Sequence, residues 1–250
     1  MLYLIGLGLN DWKDITLRGY EAMMKCEYVY LDFYTAVLQN NLREIEDAFK
    51  KSIIPADRDL VEKRADEILK NAKLKNVAFL VVGDVFSATT HIDLFLRAKE
   101  KNIPVEVVHN ASIITAIGDT GLQVYNFGKT ASIPFPHENF YPETAYDVLK
   151  MNKSMGLHTL MLLDLNPKQG SFMDMREALE ILLNIEHKRK ENVVSPETMA
   201  LGCARLGGNK KIKYAKIVDL LIEDFGEPMH CLIFPGNLHF LEEEMLKQWE

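Results

Sequence analysis

Cysteine is scarce, with three in 250 residues (Cys26, Cys203 and Cys231) and no CxxC pair among them. That excludes a four-thiolate zinc site and a disulfide framework, and makes a reducing compartment the natural setting. Paired histidines are missing as well. None of the seven stands in an HxxxH or HExxH motif, so metal catalysis has no ligand set to rest on. Neither Ser87 nor Ser112 lies in a G-x-S-x-G elbow, which leaves a hydrolase nucleophile unsupported. Basic charge is also short. Lys and Arg number 29 against 36 Asp and Glu, a net charge of −7, whereas a general nucleic-acid binder draws most of its affinity from neutralising phosphates. No apolar run approaches the ~18–20 residues of a membrane span. The opening MLYLIGLGLNDWKD lacks the basic region and small-residue cleavage site of a signal peptide. The expectation is a soluble, cytoplasmic protein without nucleic-acid or membrane partners.

What is present is enough apolar residue, 48%, to build a substantial core and exclude disorder as the main state. At about 150 residues per domain the length suits one large α/β domain or two compact ones. Apolar runs alternate with helical periodicity, as βαβ units do. Strands are expected at 2–5, 28–33, 52–54, 77–82 and 105–108, several apolar throughout, as when helices cover both faces of a parallel sheet. A helix is expected over 57–70, with Val61, Ala65, Ile68 and Leu69 on one stripe. In the second half strands are expected at 130–135, 158–163, 199–203 and 230–234. A long helix is expected over 174–190, its basic end suiting the helix dipole. The polar, glycine-flanked stretch 121–129 reads as the interdomain connection, dividing the chain into domains 1–122 and 123–250.

Four places could carry chemistry. The first strand runs into Gly6-Leu7-Gly8-Leu9, where glycines permit a sharp turn and close approach of a ligand. The dinucleotide fingerprint wants a third glycine where Asp11 stands, and its ribose-binding acid would be Asp32. A nicotinamide-dependent oxidoreductase is therefore an alternative of a different class, as is a non-catalytic cofactor-binding module. After the 77–82 strand comes GDVFSATTH, in which Asp84 could accept from a ribose or merely hold its turn. Thr90 with Asp93 resembles a capping box. HNASI follows the 105–108 strand, with Ser112 as a candidate N-cap. In the second half stand CARLGG and PMHCLIFPG. Taken singly, Arg205 reads as a surface ion pair and His230 as a core or capping histidine.

In order, GLGL, GD-x-x-x-ATTH, HNASI, LHTLMLLDL, ARLGG and EPMHCLIFPG resemble the diphthine synthases, a branch of the tetrapyrrole-methylase superfamily that uses S-adenosylmethionine. The resemblance runs from Leu2 to about Leu246. It implies a two-domain α/β fold, each domain a mixed or mostly parallel sheet flanked by helices, with the cofactor in the cleft between them. It implies cofactor contacts from Leu9, Asp84, Ser87, Ser112, Ile113, Leu163, Leu206 and His230, no metal, and commonly a homodimer. The implied substrate is elongation factor 2 carrying a 3-amino-3-carboxypropyl group on a histidine, whose amine is methylated repeatedly in diphthamide biosynthesis. LVVGD, HNASI, ADRD and GLQVYNFG resemble eukaryotic members, which add a fourth methyl as an ester. The archaeal type, trimethylating without the ester, is the alternative. No catalytic residue is singled out. Three departures bear on loop geometry: Val85 where the family usually has proline, Ser87 where it has glycine or a small apolar residue, and a shorter segment around 166–171.

Overall fold

A computed structural model describes residues 1–137, 141–166 and 169–250. The chain forms two compact units, Met1–Ala116 and Ile117–Glu250, against a boundary expected at 122/123. Unit 1 contains β1 (Leu2–Gly6), β2 (Tyr28–Asp32), β3 (Ile54–Ala56), β4 (Val77–Val81) and β5 (Val105–Val108). They form one sheet in the order β3-β2-β4-β1-β5, parallel at every pairing. The unbroken apolar runs follow from burial on both faces. Val77, Phe79 and Val81 of β4 pack into one cluster, while Ala78 and Leu80 pack into the other. Helices α1 (Leu17–Met24), α2 (Leu42–Phe49), α3 (Ala65–Leu74) and α4 (Ile92–Glu100) belong to this unit, and α5 (Ile113–Ala116) closes it.

Unit 2 holds β6 (Ala131–Ile133), α6 (Thr144–Ser154), β7 (Thr159–Leu163), the short hairpin β8 (Leu165–Asn166) and β9 (Ser171–Phe172), and α7 (Met175–Arg189). Then come β10 (Met199–Ala204), β11 (Lys211–Lys216), α8 (Ile217–Leu220), β12 (His230–Phe234) and α9 (Phe240–Leu246). Its main sheet runs β11-β10-β12-β7-β6, with only β6 and β7 parallel. α7 begins with a full capping box, Asp174 and Glu177, and buries Ala178, Leu179, Leu182 and Ile185. Cys203 and Cys231 face each other across β10 and β12, both free and buried.

Three expectations change. The helix expected over 57–70 is two pieces, a wide-turn segment Asp59–Lys63 and α3, separated by Arg64 at φ −117°. The strand expected at 52–54 lies at Ile54–Ala56, because Ile53 turns inward and gives its N–H to Glu46 Oε1. The stretch 121–129 is an integral part of unit 2 and no linker. Gln123 N–H donates to Glu242, Gly128 N–H to His158 O, and His158 N–H to Asn126 O. Such a density of main-chain bonds is what a free connection lacks. Val85 is fully buried in the unit 1 core, so the departure from proline is accommodated by packing. In the segment 166–171, residues 167 and 168 lie outside the described residues.

Candidate functional site

β4, β1 and β5 are adjacent and parallel, so the segments 6–14, 83–91 and 109–113 leave the sheet at one carboxyl edge. This is where open α/β sheets bind ligands. Main chain meets main chain there. Gly8 and Gly83 exchange N–H···O bonds of 3.2 and 2.7 Å, both at positive φ (83° and 82°). A Cβ on Gly6 would stand 2.7 Å from the Gly83 oxygen, so only glycine admits the approach. Asn110 crosses between loops, donating from Nδ2 to Gly6 O (2.9 Å) and Asp14 O (3.0 Å). Asp14 in turn accepts the N–H groups of Leu9 (3.2 Å) and Asn10 (2.8 Å).

Asp84 is the hub of this edge. Oδ1 accepts from Phe86 N–H (3.1 Å), Ser87 N–H (3.1 Å) and the Ser87 hydroxyl (2.9 Å). Oδ2 accepts from Asn110 N–H (3.1 Å) and lies 2.8 Å from His109 Nδ1. Five donors fill the roughly four lone-pair directions of a carboxylate, so the side chain expected to accept from a ribose is occupied by the chain itself. Burial pushes this carboxyl up, but the bonds led by Phe86 N–H outweigh it and bring it down to about 2. The hydroxyl that Ser87 adds is thereby spent on Asp84. Ser112 caps as expected, its Oγ accepting Ile114 N–H at 3.1 Å. Leu9 reaches the same edge, since a Cβ built on Gly83 would lie 3.7 Å from its Cδ2. The structure thus brings Leu9, Asp84, Ser87, Ser112 and Ile113 onto three joined loops.

Thr90 forms no capping box. Its hydroxyl pairs with Tyr34 OH at 3.2 Å, and α4 starts from His91 without a side-chain cap. Asp32 is sealed, 1% exposed, with Oδ1 accepting from Tyr34 and Thr35 N–H groups and Oδ2 from the Thr35 hydroxyl. Asp11, in place of the third glycine, caps a short turn by accepting Lys13 N–H. Asp32 is therefore closed off from the ribose of a nicotinamide dinucleotide.

In unit 2, Leu163, Leu206 and His230 lie at one end of the sheet, where Cys231 pairs with Leu162 and Ala204 with His230. Leu163 and Leu206 are buried. His230 Nε2 stands 3.1 and 3.0 Å from the carbonyls of Gly226 and Glu227 and so carries the ring proton. Burial pushes its pKa below the ordinary histidine value. The ring borders a cavity of about 240 Å³ lined also by Phe225, Ile222, Met175 and the acidic Asp174 and Glu223. Among the described residues Arg205 makes no ion pair. Its guanidinium donates to the main-chain oxygens of Asn209 (3.1 Å), Phe225 (2.9 Å) and Glu227.

Sequence reasoning missed His109, Asn110 and Asp14 as members of the site. HNASI had drawn attention to Ser112, and nothing local in the sequence joins His109 to Asp84, 25 residues away.

Residues 1–224 match the model of the Tetrapyrrole (Corrin/Porphyrin) Methylases. A Methanococcus aeolicus protein named diphthine synthase is 49% identical over 249 residues, covering 99% of this chain and 97% of that one. An Arabidopsis thaliana protein named "Probable diphthine methyl ester synthase" is 45% identical, with 99% and 97% covered. Among solved structures, a candidate diphthine synthase from Entamoeba histolytica superposes at TM-score 0.93 with 44% identity, covering 100% of this chain and 98% of the other. The chain belongs to the tetrapyrrole methylases and is an S-adenosylmethionine-dependent methyltransferase. Within that family it belongs with the diphthine synthases.

Proposed function

We propose that the chain methylates the 3-amino-3-carboxypropyl-histidine of elongation factor 2 in the cytoplasm, on the way to diphthamide, and finishes with the methyl ester. The observation that carries this reading is likeness to diphthine synthases over 99% of the chain, at 49% and 45% identity. Support for a sulfonium nucleoside at the N-terminal edge comes from the loops that converge there: Gly6 and Gly8 let them close tightly on Asn110 and Asp14, while a Cβ on Gly83 would meet nothing nearer than Leu9 at 3.7 Å. When bound, the cofactor supplies an activated methyl with a neutral thioether as leaving group.

Leu9, Asp84, Ser87, Ser112 and Ile113 are proposed as its contacts from unit 1, with Asp84 acting by fixing the loops. Leu163, Leu206 and His230 are proposed as contacts from unit 2. Their two leucines are buried, which suits binding through main-chain groups. The chain's own contribution is to hold amine and methyl in line, a form of orientation that can be worth roughly 7–11 kcal/mol. A homodimer is proposed on the strength of the sequence resemblance alone.

Incubation with radiolabelled methyl donor and precursor-modified elongation factor 2 tests the reaction. Label in the factor is expected, and none on the unmodified factor. Mass spectrometry of the product peptide then separates three methyls from three plus an ester. A product that stops at three methyls overturns the ester and leaves the archaeal-type reaction.

A further inference from the structure

Repeated methylation of an amine creates a proton problem, and one pair at the unit 1 edge is built to solve it. An amine attacks only as the free base, and every transfer to nitrogen but the last leaves a proton to be removed before the next. His109 lies at the carboxyl end of β5 with a side chain 68% exposed, against 6% for that of Asp84. Its Nδ1 stands 2.8 Å from Asp84 Oδ2. Asp84 accepts from four other donors as well, and these bonds together with that from His109 outweigh burial and hold it as the anion. An ionised acceptor fixes the neutral ring with its proton on Nδ1 and the lone pair on Nε2. The ring also meets Phe86 in a T-shaped contact, with centroids 6.2 Å apart. An imidazole oriented by a buried carboxylate, with its second nitrogen open to solvent, is the arrangement of a general base.

We propose that His109 is the general base of the methyl transfer, taking the proton of the substrate amine on Nε2 while Asp84 holds its tautomer. This rests on the function proposed above. In each N-methylation the substrate ammonium gives a proton to Nε2, and the freed nitrogen lone pair forms the new C–N bond. The C–S bond breaks with its electron pair left on sulfur, and the imidazolium returns its proton to solvent. A carboxylate needs no such help, so ester formation is expected to be independent of His109.

The test uses the full chain and the variant H109N, whose amide N–H₂ can replace the Nδ1–H donor to Asp84 while offering no base. H109N is expected to bind S-adenosylhomocysteine as the wild type does, by calorimetry. Its N-methylation at pH 7 should fall by about 10²–10⁴-fold, the usual contribution of a positioned base, and recover at alkaline pH as free amine accumulates. ¹⁵N NMR of the wild-type ring gives a readout apart from activity: a protonated Nδ1 and a bare Nε2 are expected in the neutral form. Full activity of H109N at pH 7, or a neutral ring protonated on Nε2, overturns the base while leaving the methyltransferase reading in place. Wild-type protein that binds no cofactor and labels no precursor overturns that reading and the base with it.

Discussion

The two units solve the same problem by opposite means. In unit 1 the strands are all parallel, and the central β4 is buried along its whole length, so every segment that leaves a strand's carboxyl end emerges on one edge, and the glycine-rich segments meet there. In unit 2 antiparallel pairings place strand starts beside strand ends, so residues distant in sequence, such as Leu163, Leu206 and His230, share an edge. Unit 1 joins its edge with an anion, Asp84, surrounded by loop donors. Unit 2 places its buried anion, Glu242, elsewhere. Oε1 accepts Gln123 N–H (2.8 Å) and meets His158 Nε2 (3.1 Å), Oε2 accepts His239 N–H (2.7 Å), and His158 Nδ1 accepts Gly236 N–H (2.8 Å). One carboxylate organises a site and the other a fold.

Breaking the second should therefore cost stability and spare unit 1. Glu242→Ala removes one member of a buried pair and is expected to cost about 3–5 kcal/mol in chemical denaturation. Hydrogen exchange should lose protection in β7, β10 and β12 while β1 and β4 keep theirs; uniform loss would mean the units are not energetically separate. Gly6→Ala attacks the other side of the comparison. Its Cβ would meet the Gly83 oxygen and Asn110, neither of which can yield without moving the strand edge. We expect about 1–3 kcal/mol of destabilisation, with cofactor affinity lost beyond what the stability change explains.

Asp84→Ala leaves loop donors without an acceptor and should weaken cofactor binding by about 1–3 kcal/mol in calorimetry. Unchanged affinity would separate the carboxylate from binding. The two anions also predict an acid response. Asp84 is held down to about 2, so the unfolded carboxyl protonates first as pH falls. Its stabilisation is complete above the ordinary carboxylate range near 4 and lost between there and about 2. Glu242 is also lowered: burial opposes ionisation, and the bonds from Gln123, His239 and His158 outweigh it. Its contribution is likewise held above the ordinary glutamate range and lost below it. Acid titration of Asp84→Ala should show a shallower loss over that window than the wild type. The smallest effect belongs to Ser87→Ala. Asp84 keeps two N–H donors on the same oxygen, and a loss of about 0.5–1.5 kcal/mol in stability is expected.

Much of this was legible. The apolar runs announce β1, β2, β4, β7 and β12 because central strands leave little room for polar residues, and the valines of β5 mark it although it is an edge strand carrying Glu106. β11 was not seen, since Lys211, Lys213 and Lys216 break its run; it is an edge strand, where lysines discourage further pairing. The break at Arg64 and the packing of 121–129 depend on hydrogen bonds made by tertiary contact, which no periodicity records. At the site, glycines and strand ends pointed to the right loops. The roles within them were hidden, because Asp84, His109 and Asn110 find each other only through the pairing of β4 and β5 with β1. Thr90 looked like a cap from spacing alone and was taken by Tyr34.

The closure of unit 2 has a bearing on how the polypeptide is made. Trp249 Nε1 donates to Thr120 O, and Glu242 on α9 grips Gln123 and His158. A ribosome that has passed residue 116 has already supplied every strand of the first sheet, which can assemble while translation continues. The second must wait for α9 to emerge before its own beginning is fastened. A nascent chain arrested short of Phe240 would present chaperones with one finished half and one still open.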